Sequence, residues 1–132
     1  MDNSLKIKEA QKQWGIAVVN SDLEKLMSLY DDGASLKPTL SKVIRVGKEN
    51  VKDYFVGNPD EGRAGFLSHG WKDVVFHSKA IHGDNEILVD MGEYEFVGPN
   101  GDVTWADYSY VYRVSGEQTV ILAHHSSLKY EE

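Results

Sequence analysis

The stretch that decides the fold is residues 103–128, VTWADYSYVYRVSGEQTVILAHHSSL. It contains two runs in which side-chain character alternates, joined by the short turn Ser115-Gly116-Glu117. Alternation with a period of two is typical of strands, and so short a link requires the two strands to be antiparallel neighbours. The second run begins apolar and ends polar, in Ala123-His124-His125-Ser126-Ser127. A polar strand end so close to an apolar core indicates a cavity with a polar lining.

Successive side chains of a strand point to opposite faces of the sheet. Tyr108, Tyr110 and Tyr112 therefore share one face of the first run, whereas Asp107 and Val111 lie on the other. Large side chains on both faces need cover, which helices can provide on one face and a second copy of the chain on the other. We therefore expect a homodimer or a larger homo-oligomer.

The same alternation separates the two histidines of the second run. It predicts that His125 and Ser127 face the cavity and that His124 and Ser126 face away. Because a neutral imidazole can accept or donate a proton, His125 is the first candidate catalytic residue. The alternative is a histidine that only holds the sheet end through a neighbouring strand. Adjacent strand residues diverge and cannot chelate one metal ion together, so no metal site is expected.

The preceding chain is predicted to supply helices and then the rest of the sheet. Apolar residues recur at helical spacing in three segments of the first half. Ser21 is expected to cap the second helix, which should run through Tyr30 and end at Gly33, and Gly47 should open the third. Pro38 should end a short extended segment. Strands are predicted at residues 70–81, 86–97, 103–114 and 118–128.

Composition limits the possible functions. The 132 residues, 41% of them hydrophobic, fit one α+β domain spanning residues 1–132. The chain has no Cys, which excludes disulfides and thiolate metal sites and is consistent with a cytoplasmic location. A net charge of −7 with scattered Lys and Arg disfavours nucleic acid as a partner. No apolar run approaches the roughly 20 residues that span a membrane.

Three helices, a curved antiparallel sheet and a last strand ending in His-x-Ser resemble the nuclear transport factor 2-like superfamily, which includes SnoaL-like polyketide cyclases and ketosteroid isomerases. More narrowly, the chain resembles the association (hub) domain of calcium/calmodulin-dependent protein kinase II and its small bacterial relatives. The resemblance implies a cone-shaped, curved antiparallel (mixed) sheet with three N-terminal helices packed on its concave face, as in cystatin-like folds. It rests on Asn20-Ser21-Asp22, Gly83-Asp84, Tyr110-Val111-Tyr112-Arg113, Gly116 and His124-His125-Ser126-Ser127.

This resemblance implies two alternative functions. The first is an oligomerising module with a small-molecule pocket and no kinase activity of its own. Hub domains place arginines in that pocket, and Glu93 and Tyr110 would stand at two of those positions, so a less basic pocket is expected here. The second is a cofactor-free enzyme of the SnoaL or ketosteroid isomerase kind, which transfers a proton on a cyclic or carbonyl substrate.

Two mid-strand carboxylates and a set of aromatic and hydroxyl residues complete the predicted site. A carboxylate in an apolar pocket has a raised pKa and can shuttle protons, which makes Glu93 the second catalytic candidate. The alternative for Glu93 and for Asp107 is a salt bridge, with Arg113 or Arg45 as the partner. No cofactor is expected. The residues predicted to bind the small molecule are Trp14, Tyr30, Tyr54, Tyr110 and Ser127.

Overall fold

The computed structural model describes residues 3–39, 41 and 43–130. The helices are α1 (Asn3–Val19), α2 (Leu23–Ser28) and α3 (Lys48–Val56), with short 3-10 helices at Pro59–Glu61 and Phe66–His69. The strands are β1 (Tyr30–Lys37), β2 (Arg45–Val46), β3 (Gly57–Asn58), β4 (Arg63–Ala64), β5 (Asp73–Gly83), β6 (Ile87–Val97), β7 (Val103–Ser115) and β8 (Gln118–Leu128). None of the helices in these ranges is long and apolar enough to cross a membrane.

The architecture is a curved mixed sheet with helices against one face. Within the described residues, six strands form the sheet in the order β2-β1-β8-β7-β6-β5, and β3 pairs with β4 separately. Neighbouring strands of the large sheet are antiparallel except β1 and β8, which are parallel. The predicted α+β fold is confirmed, and the four long predicted strands correspond to β5–β8. The parallel pairing of β1 was not predicted.

The second helix is shorter than predicted. Ser21 adopts a left-handed conformation with φ of 52°, and the Asp22 side chain caps the helix instead by accepting a bond from a backbone N–H of the first turn. The helix ends before Tyr30, not at Gly33, because β1 begins at Tyr30 and pairs with β8 opposite Ile121. Long-range strand pairing here overrides a local helical pattern.

The core lies between the helices and the inner face of the sheet. Trp14 of α1 is 2% exposed, and its indole contacts the rings of Phe76, Phe96 and His124 with centroids 5.7, 6.1 and 5.9 Å away. Edge contacts of this kind add to the free energy gained by burying the rings. The tyrosines of β7 predicted to share one face do so and are buried. We call the opposite face of β5–β8 the outer face; it carries Val89, Met91, Glu93, Trp105, Asp107 and Val111.

A buried carboxylate ties α1 to this sheet away from the polar end of β8. Asp90 of β6 is fully buried and accepts hydrogen bonds from Gln11 Nε2, from Ser78 Oγ at 2.5 Å and from Tyr108 Oη at 3.0 Å. Three donors satisfy the acceptor capacity that would otherwise make burial of this group costly. Gln11 also donates to Tyr112 Oη at 3.3 Å, so one residue of α1 links two strands.

We predict that Gly92→Ala destabilises the protein, because the strand gives a methyl group no room there. A Cβ at Gly92 would lie 2.3 Å from the backbone oxygen of His77 and 2.7 Å from Tyr108 Oη, so Tyr108 would have to leave Asp90. The free energy of unfolding should fall by about 1–3 kcal/mol in urea titrations followed by circular dichroism.

The matched control is Gly33→Ala. A Cβ at Gly33 would meet only a side-chain oxygen of Asp31 at an ordinary 3.6 Å. This substitution should leave stability almost unchanged or raise it slightly, because alanine restricts the unfolded chain. Equal stabilities of the two variants would show that Gly92 is not a site of close packing.

Candidate active site

One extra residue in β8 decides which side chains enter the interior. Ile121 pairs with Tyr112 and Ala123 pairs with Val111, so Leu122 is a bulge with no partner of its own in β7. A bulge shifts the alternation of all residues beyond it by one position. The inner face therefore carries His124 and Ser126, which are 5% and 7% exposed.

The predicted facing of this strand end is therefore wrong. His125 is exposed on the outer face, and Ser127 follows it there, pairing with Asp107 of β7. The sequence reveals the alternation but not the bulge, since no glycine or proline marks Leu122. The assignment of His125 and Ser127 to the cavity is wrong because of the bulge at Leu122. His124 and Ser126 occupy the inward positions instead.

His124 is held by three tyrosines. Its Nδ1 lies 3.1 Å from Tyr30 Oη, and its Nε2 lies 3.1 Å from Tyr94 Oη. Its ring stacks on Tyr110 with centroids 3.9 Å apart and planes 15° apart. Burial, and to a smaller extent the neighbouring His125, together lower the pKa of His124 to about 3. His124 is therefore a neutral imidazole at physiological pH.

The hydrogen-bond partners also fix which nitrogen of His124 carries the proton. Trp14 Nε1 can only donate, and it donates to Tyr30 Oη at 3.1 Å. The proton of the buried Tyr30 hydroxyl then has His124 Nδ1 as its acceptor within the described residues. Nδ1 is therefore unprotonated, and the Nε2–H group donates to Tyr94 Oη. The whole chain of bonds runs in one direction, from Trp14 toward Tyr94.

Beyond Tyr94 this chain reaches two hydroxyl groups. Burial raises the pKa of Tyr94 well above its ordinary value, and a hydrogen bond with Ser126 offsets part of that rise. Ser126 Oγ in turn lies 2.6 Å from Thr39 Oγ, in the segment that follows β1. The imidazole, the phenol and the two hydroxyl groups thus form one connected set at the polar end of β8.

This set borders a small space, which we call the inner cavity. Its volume is about 30 Å³. One water molecule needs roughly 10–15 Å³ of such space, so the cavity suits a molecule of a few heavy atoms. Aromatic and aliphatic side chains form the remaining walls. The residues that bring N–H or O–H groups to its lining are Trp14, Thr39, Tyr54, Tyr94, His124 and Ser126.

A wider cavity, which we call the vestibule, lies beside it. Its volume is about 610 Å³, and Thr39, Tyr54, Phe66 and Phe96 line both spaces. The vestibule therefore adjoins the inner cavity. Burial raises the pKa of Tyr54 to about 12, so its hydroxyl stays protonated at the junction. Further residues of the vestibule wall are Arg45, Arg63, His69, Trp71, Thr104 and Leu128.

The two vestibule arginines share one carboxylate. Arg45 Nη1 and Arg63 Nη1 lie 2.7 and 3.1 Å from Asp53 Oδ2, and these guanidinium groups, Arg45 first, hold the pKa of Asp53 below its ordinary value. Arg63 also pairs with Glu61 at 2.9 Å. Arg45 lies over the Tyr54 ring, 5.9 Å from its centroid. Arg45 was predicted only as a possible partner of Glu93 or Asp107, and that pairing is wrong.

The two predicted carboxylates lie outside the cavities. Glu93 is on the outer face, where Lys129 bonds to it and lowers its pKa. Asp107 lies 3.4 Å from the same Lys129 Nζ. The assignment of Glu93 to the cavity is wrong, because Tyr94 beside it takes the inward position. Both residues form a salt bridge, as the alternative predicted, but their partner is Lys129. The predicted partner Arg113 pairs with Asp31 instead, at 2.6 Å.

Four of the five predicted ligand residues are inside the fold. Trp14 and Tyr54 line the inner cavity, Tyr30 holds His124, and Tyr110 supports its ring. The Tyr110 hydroxyl is buried and has no hydrogen-bond partner among the described residues. The sequence did not indicate Thr39, His124 or Ser126 as cavity residues. In the described part of the chain, no group of three His, Asp or Glu side chains is arranged to hold a metal ion.

The family model described as metal-independent carbonic anhydrase matches residues 23–128. The structure of the iota-carbonic anhydrase from a cyanobacterium, complexed with bicarbonate, is 25% identical, with a TM-score of 0.84 over 100% of this chain and 94% of that one. A Xanthomonas campestris protein described as a calcium/calmodulin-dependent protein kinase II association domain is 26% identical, with a TM-score of 0.79 over 96% and 87%. No curated protein matches the chain by sequence.

More distant structures agree on the fold. An NTF2-like protein from Cytophaga hutchinsonii is 18% identical, with a TM-score of 0.73 over 98% of this chain and 100% of its own. The predicted resemblance to the nuclear transport factor 2-like superfamily, and to association domains within it, is confirmed.

We predict that His124 makes stability depend on pH. The folded state holds its pKa at about 3 against an ordinary 6.5, so the unfolded chain binds a proton more readily between these values. The free energy of unfolding should fall as the pH drops from 6.5 toward 3, by up to about 1.4 kcal/mol per pH unit. His124→Gln should remove this slope in urea titrations across the range. His125→Gln, at the exposed neighbour, should keep it, and equal slopes in all three proteins would contradict the assigned facing.

Proposed function

The chain belongs to the metal-independent carbonic anhydrase family, and we propose that it interconverts carbon dioxide and bicarbonate in the inner cavity. The observation that carries this proposal is the size and lining of that cavity. It is about 30 Å³, with apolar walls and one connected set of hydroxyl groups around a neutral imidazole. A pocket with apolar walls and few, well-placed polar groups suits a small uncharged molecule that becomes polar on reaction.

The direction of the hydrogen bonds supplies the chemistry. Tyr94 Oη accepts from His124 and, in the bond that lowers its pKa, from Ser126, which leaves the Tyr94 proton for a molecule bound in the cavity that Tyr94 lines. Thr39 can in turn donate to Ser126 Oγ, 2.6 Å away. When water attacks the carbon of carbon dioxide, negative charge develops on the oxygens, and a fixed hydroxyl donor stabilises that charge without reorganising.

The reaction is CO₂ + H₂O → HCO₃⁻ + H⁺, so a water molecule must also be oriented. The lone pairs of the Thr39 and Ser126 oxygens can accept from that water, and Tyr54 can donate to it at the junction with the vestibule. His124 is not the base in this scheme, since its nitrogens are both engaged by tyrosines. Its role is to fix the direction in which the hydroxyl groups donate.

The ketosteroid isomerase-like alternative has less support. Abstraction of a proton from carbon requires a base in the cavity, and the two residues predicted for that role, His125 and Glu93, lie on the outer face. The buried Asp90 is fully bonded at another place. Among the described residues, no Asp or Glu lines the inner cavity or the vestibule. This absence favours a reaction that depends on neutral donors.

We also propose that the chain self-associates through its outer face. That face exposes 50% of Met91 and 39% of Trp105, with Val89 and Val111 paired at its centre. The similar Xanthomonas protein is described as an association domain, which supports a second copy as the occupant. The inner cavity is built within one chain, so assembly and catalysis are separable properties.

We predict that Ser126→Ala impairs catalysis. The substitution breaks the link between Tyr94 and Thr39, and stopped-flow measurements should give a kcat/KM for carbon dioxide hydration at least about tenfold lower than wild type. Ser127→Ala is the matched control on the outer face and should retain wild-type activity. An inactive wild-type protein would refute the proposed reaction, and equal losses in both variants would refute the assigned site.

We predict that Val111→Asp disrupts assembly. A carboxylate at the centre of the outer face would lose hydration in the interface, so sedimentation at micromolar concentration should give the mass of one chain. Val46→Asp changes a valine of β2 that is 61% exposed, and it should leave the oligomer intact. A wild-type protein that sediments as a single chain would exclude self-association.

A further inference from the structure

The proton released by the proposed reaction has no acceptor in the inner cavity. Each bicarbonate formed from carbon dioxide and water leaves one proton behind. The nitrogens of His124 are both engaged, and burial lowers its pKa to about 3, so it does not hold the proton near neutral pH. The hydroxyl groups of Thr39 and Ser126 exchange protons but store none. The proton must therefore leave through the vestibule.

The vestibule wall offers few groups that can receive it. Among its described residues, the titratable ones are Arg45, Tyr54, Arg63 and His69. The two arginines are already protonated, and the pKa of Arg63 is raised by its bonds to Asp53 and Glu61. Tyr54 is protonated as well. Imidazole is the side chain that, as a class, changes charge between pH 5 and 8, which leaves His69 as the acceptor.

The position of His69 suits this role. It ends the 3-10 helix Phe66–His69, and Gly70 reverses the chain behind it with φ of 80°. Its ring stacks on Trp71, with centroids 4.1 Å apart and planes 30° apart. Trp71 is itself anchored, since its Nε1 donates to the backbone oxygen of Phe66 at 3.1 Å. His69 is thus held at the rim, exposed to solvent while it lines the vestibule.

We infer that His69 carries protons between the vestibule and bulk solvent, an inference that rests on the proposed carbon dioxide reaction. The vestibule, about 610 Å³, is large enough for a chain of water molecules between Thr39 and the imidazole. Bicarbonate leaves with its negative charge, and a ring nitrogen of His69 takes the proton. The imidazolium then gives that proton to a buffer base.

The test is a comparison of wild type, His69→Gln and His82→Gln in stopped-flow hydration of carbon dioxide. His82 is an exposed histidine near the end of β5, outside both cavities, and serves as the control. In dilute buffer, His69→Gln should lower kcat at least about tenfold and leave kcat/KM within about twofold, because proton transfer to solvent follows the chemical step. Added imidazole buffer should restore kcat, since it replaces the missing group.

The possible outcomes separate this inference from the reaction itself. If wild type hydrates carbon dioxide and His69→Gln behaves like His82→Gln, the relay is refuted and the proposed function stands. If His69→Gln lowers kcat and kcat/KM equally and imidazole does not restore them, His69 shapes the site and carries no protons. If wild type shows no hydration, the proposed function fails and the relay fails with it.

Discussion

One extra residue in β8, Leu122, determines the direction of every side chain that follows it. Without it, His125 and Ser127 would enter the interior and His124 and Ser126 would face outward. With it, Ile121 still packs inward opposite Tyr112, and His124 enters opposite Tyr110. The sheet accepts this insertion because a bulge also increases strand bending, which a curved sheet needs. The same irregularity therefore helps to curve the sheet and brings an imidazole beside Trp14.

Once His124 is inside, its surroundings leave it a single protonation state. Burial excludes the imidazolium, and a donor that cannot accept, the indole of Trp14, sets the direction of the bonds. A chain of neutral groups held in one direction can offer a donor to a developing anion without having to reorient. The aromatic core is therefore part of the site, because Trp14, Tyr30 and Tyr110 hold the imidazole from three sides.

Local patterns in the sequence were enough to predict the sheet but not the site. The long strands alternate cleanly between turns, so β6 and β7 could be placed with their inner and outer faces. Tyr30 was misassigned because its strand partner is β8, far along the chain, and a parallel contact leaves no local pattern. Trp14 and Tyr54 were predicted as pocket residues because they are aromatic. Thr39 and Ser126 are ordinary hydroxyl residues that acquire a role only when two distant segments meet.

The distribution of charge is consistent with the proposed release of an anion by an acidic protein. The chain carries a net charge of −7, which by itself repels bicarbonate. The carboxylates of β6 and β7 are on the outer face, where Lys129 pairs with them. At the vestibule the arrangement is reversed: Arg45 and Arg63 form part of the wall, whereas their partner Asp53 does not line it. Guanidinium groups, and none of the described carboxylates, therefore line the vestibule, and the described side chains lining the inner cavity are uncharged.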